Sequence, residues 1–173
     1  MTFTSPPLDS DTEVTGHPII SLWLASTGKD GDFFVYLEDI DEGGEALYVT
    51  EGMARAGFHR MAHHEGPPKP SILPDLPYHS FRDSDYVADV FSAGRKVELL
   101  TDLYPTSWVF RKGRRIAVSI ACADWPSYDL NPQLSASNNP ANSGTKIPII
   151  TLYHSLQYPS YIELPLIPRA EAT

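Results

Sequence analysis

The chain has no nucleophile set in a strand-turn-helix. Gly-x-Ser-x-Gly does not occur. The nearest fragments, Phe91-Ser92-Ala93-Gly94 and Asn142-Ser143-Gly144, lack the first glycine and the strand-to-helix setting that exposes such a serine. No segment reads as a long amphipathic helix, which removes a phosphate cradle at a helix N-terminus. Cysteine is nearly absent. Cys122 stands alone, so no internal disulfide forms, and a reducing compartment such as the cytoplasm is allowed. Positive charge is scarce: 13 Lys and Arg face 22 Asp and Glu, a formal net charge of −9. That argues against nucleic acid and anionic membrane surfaces, where Lys and Arg replace counterions. No run of about 20 apolar residues is present to span a bilayer, and the N-terminus lacks the basic-then-apolar layout of a signal peptide.

What remains is a chain of 173 residues, 42% apolar, which is long enough for one domain with a good core. Its apolar runs alternate with period two, as half-buried strands do. From Val14 to Ala25, Ile20, Leu22 and Leu24 share a face. Phe33, Val35 and Leu37 share another, after the turn residues Lys29-Asp30-Gly31-Asp32. Asp41-Glu42-Gly43-Gly44 is the clearest hairpin turn, because glycine accepts positive φ. Ala46 to Thr50 returns and extends toward Arg60. Further strands are predicted at Val97 to Leu103, Arg114 to Ala121, Ile149 to Tyr153 and Tyr161 to Leu164. Two long irregular segments, about 63–93 and 124–146, interrupt the order. Segments of that length in a compact domain are usually functional or ordered by a neighbour. The expectation is a single all-β domain over 1–173, a jelly-roll β-sandwich of about eight strands. The abrupt opening, Met1 directly on Thr2-Phe3-Thr4, reads as a domain boundary.

Several groups could carry chemistry. Cys122 follows the alternating Ile116–Ala121 run, where a small buried and inert thiol is expected. His59, His63, His64 and Glu65 cluster, with His79 further on, and imidazole clusters bind transition metals. Gly57 and Gly66-Pro67-Pro68 flank them, so no helix aligns them, and solvation or packing is the expected role. Asp9, Asp11 and Glu13, and again Asp30 and Asp32, have the alternating carboxylates of a calcium loop. In an acidic protein these read first as turn and strand-entry residues. Trp23, Trp108, Trp125 and Tyr128 could stack on sugars or plug an interface. The expected assignment has no catalytic residue, no metal ligand and no cofactor.

The order of short motifs resembles a known family. Leu8-Asp9-Ser10-Asp11-Thr12-Glu13-Val14-Thr15-Gly16, Asp30 to Asp39, and Glu51-Gly52-Met53-Ala54-Arg55-Ala56 are similar to the C-terminal domain of X-Pro dipeptidyl-peptidases and cocaine-esterase-like (CocE/NonD) serine hydrolases. So are Pro105 to Ile116, Trp125 to Pro132, Thr151-Leu152-Tyr153-His154 and Pro159 to Pro165. Leu130 stands where relatives often have Arg. The resemblance implies a galactose-binding-like jelly roll packed on an upstream α/β-hydrolase domain. That domain would carry the Ser-Asp-His triad, and this one would be a non-catalytic accessory to an acyl esterase or X-Pro peptidase. It would brace the catalytic domain, shape the pocket rim or support a homo-oligomer. The turn Lys112-Gly113-Arg114 would be structural. Trp108, Phe110, Trp125, Tyr128 and Asp129 are the candidate interface residues, and the segment 63–93 would face the same partner. A carbohydrate-binding module is the alternative reading, and a metal-dependent barrel enzyme the third.

Overall fold

The computed structural model describes residues 1–62, 75–131 and 147–168. These form eleven strands and three single-turn 3-10 helices. The strands are β1 (Thr2–Thr4), β2 (Thr12–Gly16), β3 (Ile19–Ser26), β4 (Asp32–Ile40), β5 (Ala46–Arg55), β6 (Val97–Asp102), β7 (Thr106–Phe110), β8 (Arg115–Ala121), β9 (Ile150–Tyr153), β10 (Tyr161–Glu163) and β11 (Leu166–Ile167). Every pairing is antiparallel. The chain is an all-β protein built as a β-sandwich, as its alternation predicts.

One layer has the strand order β1-β8-β4-β5. The other is a bent sheet. Its first half is β10-β3-β6, with β9 beside the end of β3, and its second half is β11-β2-β7. Each of three strands passes the corner at a proline: Pro18 between β2 and β3, Pro105 between β6 and β7, and Pro165 between β10 and β11. Proline has no N–H for a ladder and tolerates the break. Carbonyls still bridge the corner, with Thr15 N donating to Pro165 O at 3.0 Å and Leu103 N to Pro18 O at 2.8 Å.

The core lies between the layers. Ile20, Leu22, Leu24, Val97 and Leu99 from the bent sheet meet Phe33, Val35, Leu37 and Val118 from the other. Val14 and Phe110 fill the bent half, and Phe91 closes one end, its ring edge-on to Phe33 at 6.5 Å. The hairpin at residues 41–44 forms as predicted, with Gly44 at φ +86° and its N–H donating to Asp41 O. The turn before β8 places Gly113 at φ +85° and ties its N–H to Leu8 O at 2.9 Å.

The strand count exceeds the eight expected. The run expected from Val14 to Ala25 is two strands, β2 and β3, broken at His17-Pro18; β7 went unread because its residues do not alternate, and β11 is too short to establish a period. β5 ends at Arg55, where a 3-10 turn over Ala56–Phe58 takes over, short of Arg60.

Candidate domain interface

The outer face of the β8-β4-β5 sheet is unlike an ordinary solvent face. Strand β4 turns Phe34, Tyr36 and Glu38 outward between its core residues. On β5, Met53 stands opposite Phe34 and Glu51 opposite Tyr36. On β8, Ala121 and Ser119 stand opposite the same two residues, and Ala117 opposite Glu38. The segment 122–131 leaves β8 and folds back over this sheet. The Tyr128 ring lies 4.9 Å from that of Phe34, and the Tyr36 hydroxyl donates to the Asp124 carboxylate. The backbone N–H of Tyr128 donates to Asp124 O at 2.8 Å. The loop is held at both ends, yet Trp125 between them is 70% exposed.

Beside Tyr128 opens a groove of about 410 Å³ lined by Phe34, Met53, Phe58, Phe81, Tyr128 and Asp129, among others. Arg55 forks onto Asp32 within it, Nε to Oδ1 at 2.6 Å and Nη2 to Oδ2 at 2.9 Å. That two-bond geometry fixes the guanidinium more firmly than a single contact would. The Asp32 carboxylate pushes the Arg55 pKa upward, so its charge is permanent. Phe81 comes from one of the two long irregular segments and Tyr128 from the other. The structure therefore brings both segments to one groove.

Burial and acidic neighbours act together on the phenols of this face. The Tyr36 pKa is pushed well up, first by burial, then by its bond to Asp124 and the charges of Asp124 and Glu51. Burial and then Glu51 raise those of Tyr48 and Tyr128.

Of the five candidate interface residues, Trp125, Tyr128 and Asp129 gather at this rim. Trp108 and Phe110 lie elsewhere, on β7 in the bent half. Phe110 is fully buried in the core. Trp108 is half-buried, with its indole N–H donating to Asp39 Oδ2 at 2.9 Å. Phe110 has no surface to offer a partner; an aromatic on an unread strand has no readable facing. The sequence reading did not single out Phe34, Tyr36, Tyr48 and Glu51, which share this outer face, or Tyr104, whose N–H donates to Glu51 O at 2.8 Å. A signal was there: Phe33 to Leu37 is apolar or aromatic at every position, the mark of a strand covered on both faces.

The other candidates resolve plainly. Cys122 is an exposed free thiol, not a buried one, because β8 ends one residue before it. Crowding by its neighbours still pushes its pKa upward, which disfavours the thiolate. His59 has its ring Nδ1 3.1 Å from Ala56 O, and burial lowers its pKa. His79 is buried with Nε2 at 2.7 Å from Leu100 O. His63, His64, Glu65 and the Asn142-Ser143-Gly144 fragment lie outside the described residues. Among the described residues no group of three His, Cys, Asp or Glu side chains could hold a metal ion. The acidic pairs are bound to protein donors: Asp11 to Arg111 and Lys112 N, Asp30 to Gly57 N and the Tyr86 hydroxyl, Asp32 to Arg55. Trp23 packs against Tyr158 at 5.2 Å. No helix among the described residues is long and apolar enough to cross a membrane.

Residues 1–163 match the family model described as the X-Pro dipeptidyl-peptidase C-terminal non-catalytic domain. The chain belongs to that family. It is 38% identical over 167 residues to putative serine esterases of Mycobacterium bovis and Mycobacterium tuberculosis, covering 96% of this chain and 24% of each of those proteins. It is 25% identical over 177 residues to the cocaine esterase of a Rhodococcus strain, again over 96% of this chain and 25% of that protein. This chain thus spans about a quarter of the length of the curated relatives it matches. Among solved structures it is similar to an aminopeptidase from a Thaumarchaeota archaeon, with TM-score 0.72, 20% identity, and 97% of this chain and 26% of that one covered. A CocE/NonD family hydrolase from Staphylococcus aureus is similar at TM-score 0.70 and 18% identity, over 97% of this chain and 30% of that one. At those identities the structural likeness supports the fold alone.

Proposed function

We propose that this chain works as an accessory domain in cis to an α/β-hydrolase domain, in a serine hydrolase acting on acyl esters or on amides of the X-Pro type. The observation that carries the reading is the extent of the match: nearly all of this chain, but only about a quarter of each putative serine esterase. The groove beside Tyr128 and the exposed Trp125 supply a surface suited to docking, in keeping with the partly apolar contacts between domains of one chain. Its role is mechanical: it braces the catalytic half and shapes the edge of the substrate pocket. A jelly-roll connectivity and a reducing, cytoplasmic setting fit the same reading, the second through the lone free thiol.

The test is direct. This chain alone turns over neither aryl esters nor X-Pro anilides, and the longer parent protein turns over one of them. Reproducible turnover by the isolated chain, abolished by a serine-directed inhibitor, overturns the proposal. Selective binding on a glycan array would favour a carbohydrate-binding module instead.

A further inference from the structure

The docking face is acidic as well as aromatic. Tyr48, Tyr104 and Trp125 are exposed by 58%, 57% and 70%. Two carboxylates stand beside Tyr36, and Glu38, opposite Tyr48 on the same face, already accepts the Ser119 hydroxyl. Glu51 faces Tyr36 across the β4–β5 ladder, and Asp124 accepts the Tyr36 hydroxyl. Neither enters an ion pair among the described residues. The charged neighbours that act on Tyr36, Tyr48 and Tyr128 are all acidic. At the far end of the same face, by contrast, the positive Arg55 is already taken by Asp32.

Covering this surface with a purely apolar partner would strip water from Glu51 and Asp124 and leave both charges uncompensated. That cost is far larger than the gain from burying a few aromatic rings. A cation set among the phenols removes the problem, since it pairs with the carboxylates and is attracted to the ring faces at the same time. Arginine suits the place better than lysine. Its planar guanidinium stacks on aromatic rings, forks onto carboxylates and is less strongly hydrated.

Resting on the docking reading above, we propose that the catalytic domain inserts an arginine side chain among Tyr36, Tyr48 and Tyr128, with Glu51 and Asp124 as its counter-ions. About three quarters of the length of the curated relatives lies outside the span this chain matches, so the partner polypeptide is supplied in cis. The formal charge of −9 favours a basic contact surface on that partner.

Hydroxyl-radical footprinting of the parent protein and of this chain alone, with mass-spectrometric readout at Tyr48 and Trp125, tests the proposal. In the wild-type parent both side chains are protected relative to the isolated chain. In the Glu51→Arg parent they lose most of that protection, and Glu51→Gln, which preserves shape, loses part of it. Raising the salt concentration mimics the Gln variant. If the wild-type parent protects this face and neither variant changes it, docking stands and the arginine contact is wrong. If the wild-type parent gives no protection, both readings fall. If the isolated chain sediments as a dimer that Glu51→Arg dissociates, the face serves a second copy of this chain, and the arginine contact to the catalytic domain is again wrong. A urea midpoint for each variant chain equal to wild type shows that lost protection is not unfolding.

Discussion

Asp39, nearly buried on β4, accepts the Trp108 indole N–H at 2.9 Å and the Arg114 Nε–H at 2.7 Å. The two donors come from β7 and from the turn before β8, 69 and 75 residues away in sequence. One carboxylate therefore ties β4 to both sides of the Phe110–Arg115 turn. Asp39→Ala leaves a partly buried guanidinium and an indole N–H without their acceptor. Breaking a buried charged pair from one side costs about 3–5 kcal/mol. Arg114 is only partly shielded, so the loss is expected toward the low end of that range. Asp39→Asn, which keeps one acceptor oxygen, is expected to lose less. Equilibrium urea unfolding measures both, and equal midpoints for wild type and the alanine variant would contradict the tie.

At Gly52 the two layers approach closely. A Cβ built there would lie 2.7 Å from Asp102 O and 3.0 Å from Leu103 Cα, both backbone atoms of the opposite sheet. No side-chain rotation relieves such a contact. Gly52→Ala must push β5 from the end of β6, an overpacking expected to cost about 1–3 kcal/mol. A lowered urea midpoint with an unchanged slope is the expected reading.

The fold was legible because the core strands obey one rule. Phe33, Val35 and Leu37, and again Val97 and Leu99, fall at every second position and are all buried. The aromatic outer face was legible only in part. Trp125 and Tyr128 stood out as aromatics in a loop rich in polar and proline residues. Phe110 was named from the family-like stretch Pro105 to Ile116 and is core, because chemical type alone does not reveal which way a side chain faces. Cys122 misled through extrapolation: the alternation of β8 runs to Ala121, and the next residue turns out to solvent. Tyr36, Tyr48 and Glu51 became visible only through the register of β4 with β5, which involves a bulge at Leu37/Glu38. A shift of that kind moves residues between faces and leaves no mark on local composition.

Alkali should weaken the fold through its phenols. Burial, helped by acidic neighbours, raises Tyr36, Tyr48, Tyr86 and Tyr128 above the ordinary value of 10.0. Below that pH, folded and unfolded chains both hold these protons and the contribution is constant. Above it, the unfolded chain releases protons that the folded chain keeps. The unfolded state then binds fewer protons, so stability falls as pH rises through the folded-state values. Urea midpoints from neutral pH to about pH 11 should decline only at the alkaline end. Phenolate titration by ultraviolet difference absorbance should show a late fraction of tyrosines. Tyr36→Phe, which removes one such proton, should shrink that fraction.

Trp125 and Tyr128 stand three residues apart and should respond oppositely to truncation. Trp125 is 70% exposed and gives the isolated chain little packing. Trp125→Ala is expected to shift the stability of this chain by no more than about 0.5 kcal/mol, as surface changes usually do. Tyr128 is half-buried and covers Phe34 at 4.9 Å. An aromatic pair of that kind contributes about 0.5–1.5 kcal/mol beyond its buried area, so Tyr128→Ala should lower the urea midpoint clearly. Acrylamide quenching separates the two cases further. The three tryptophans are Trp23, Trp108 and Trp125, and the first two are held against Tyr158 and Asp39. Most of the quenchable fluorescence should therefore come from Trp125 and vanish in Trp125→Phe. In the parent protein the same signal should be shielded by the docked domain. Equal quenching of Trp125 in the parent and in the isolated chain would show that this rim faces solvent in both.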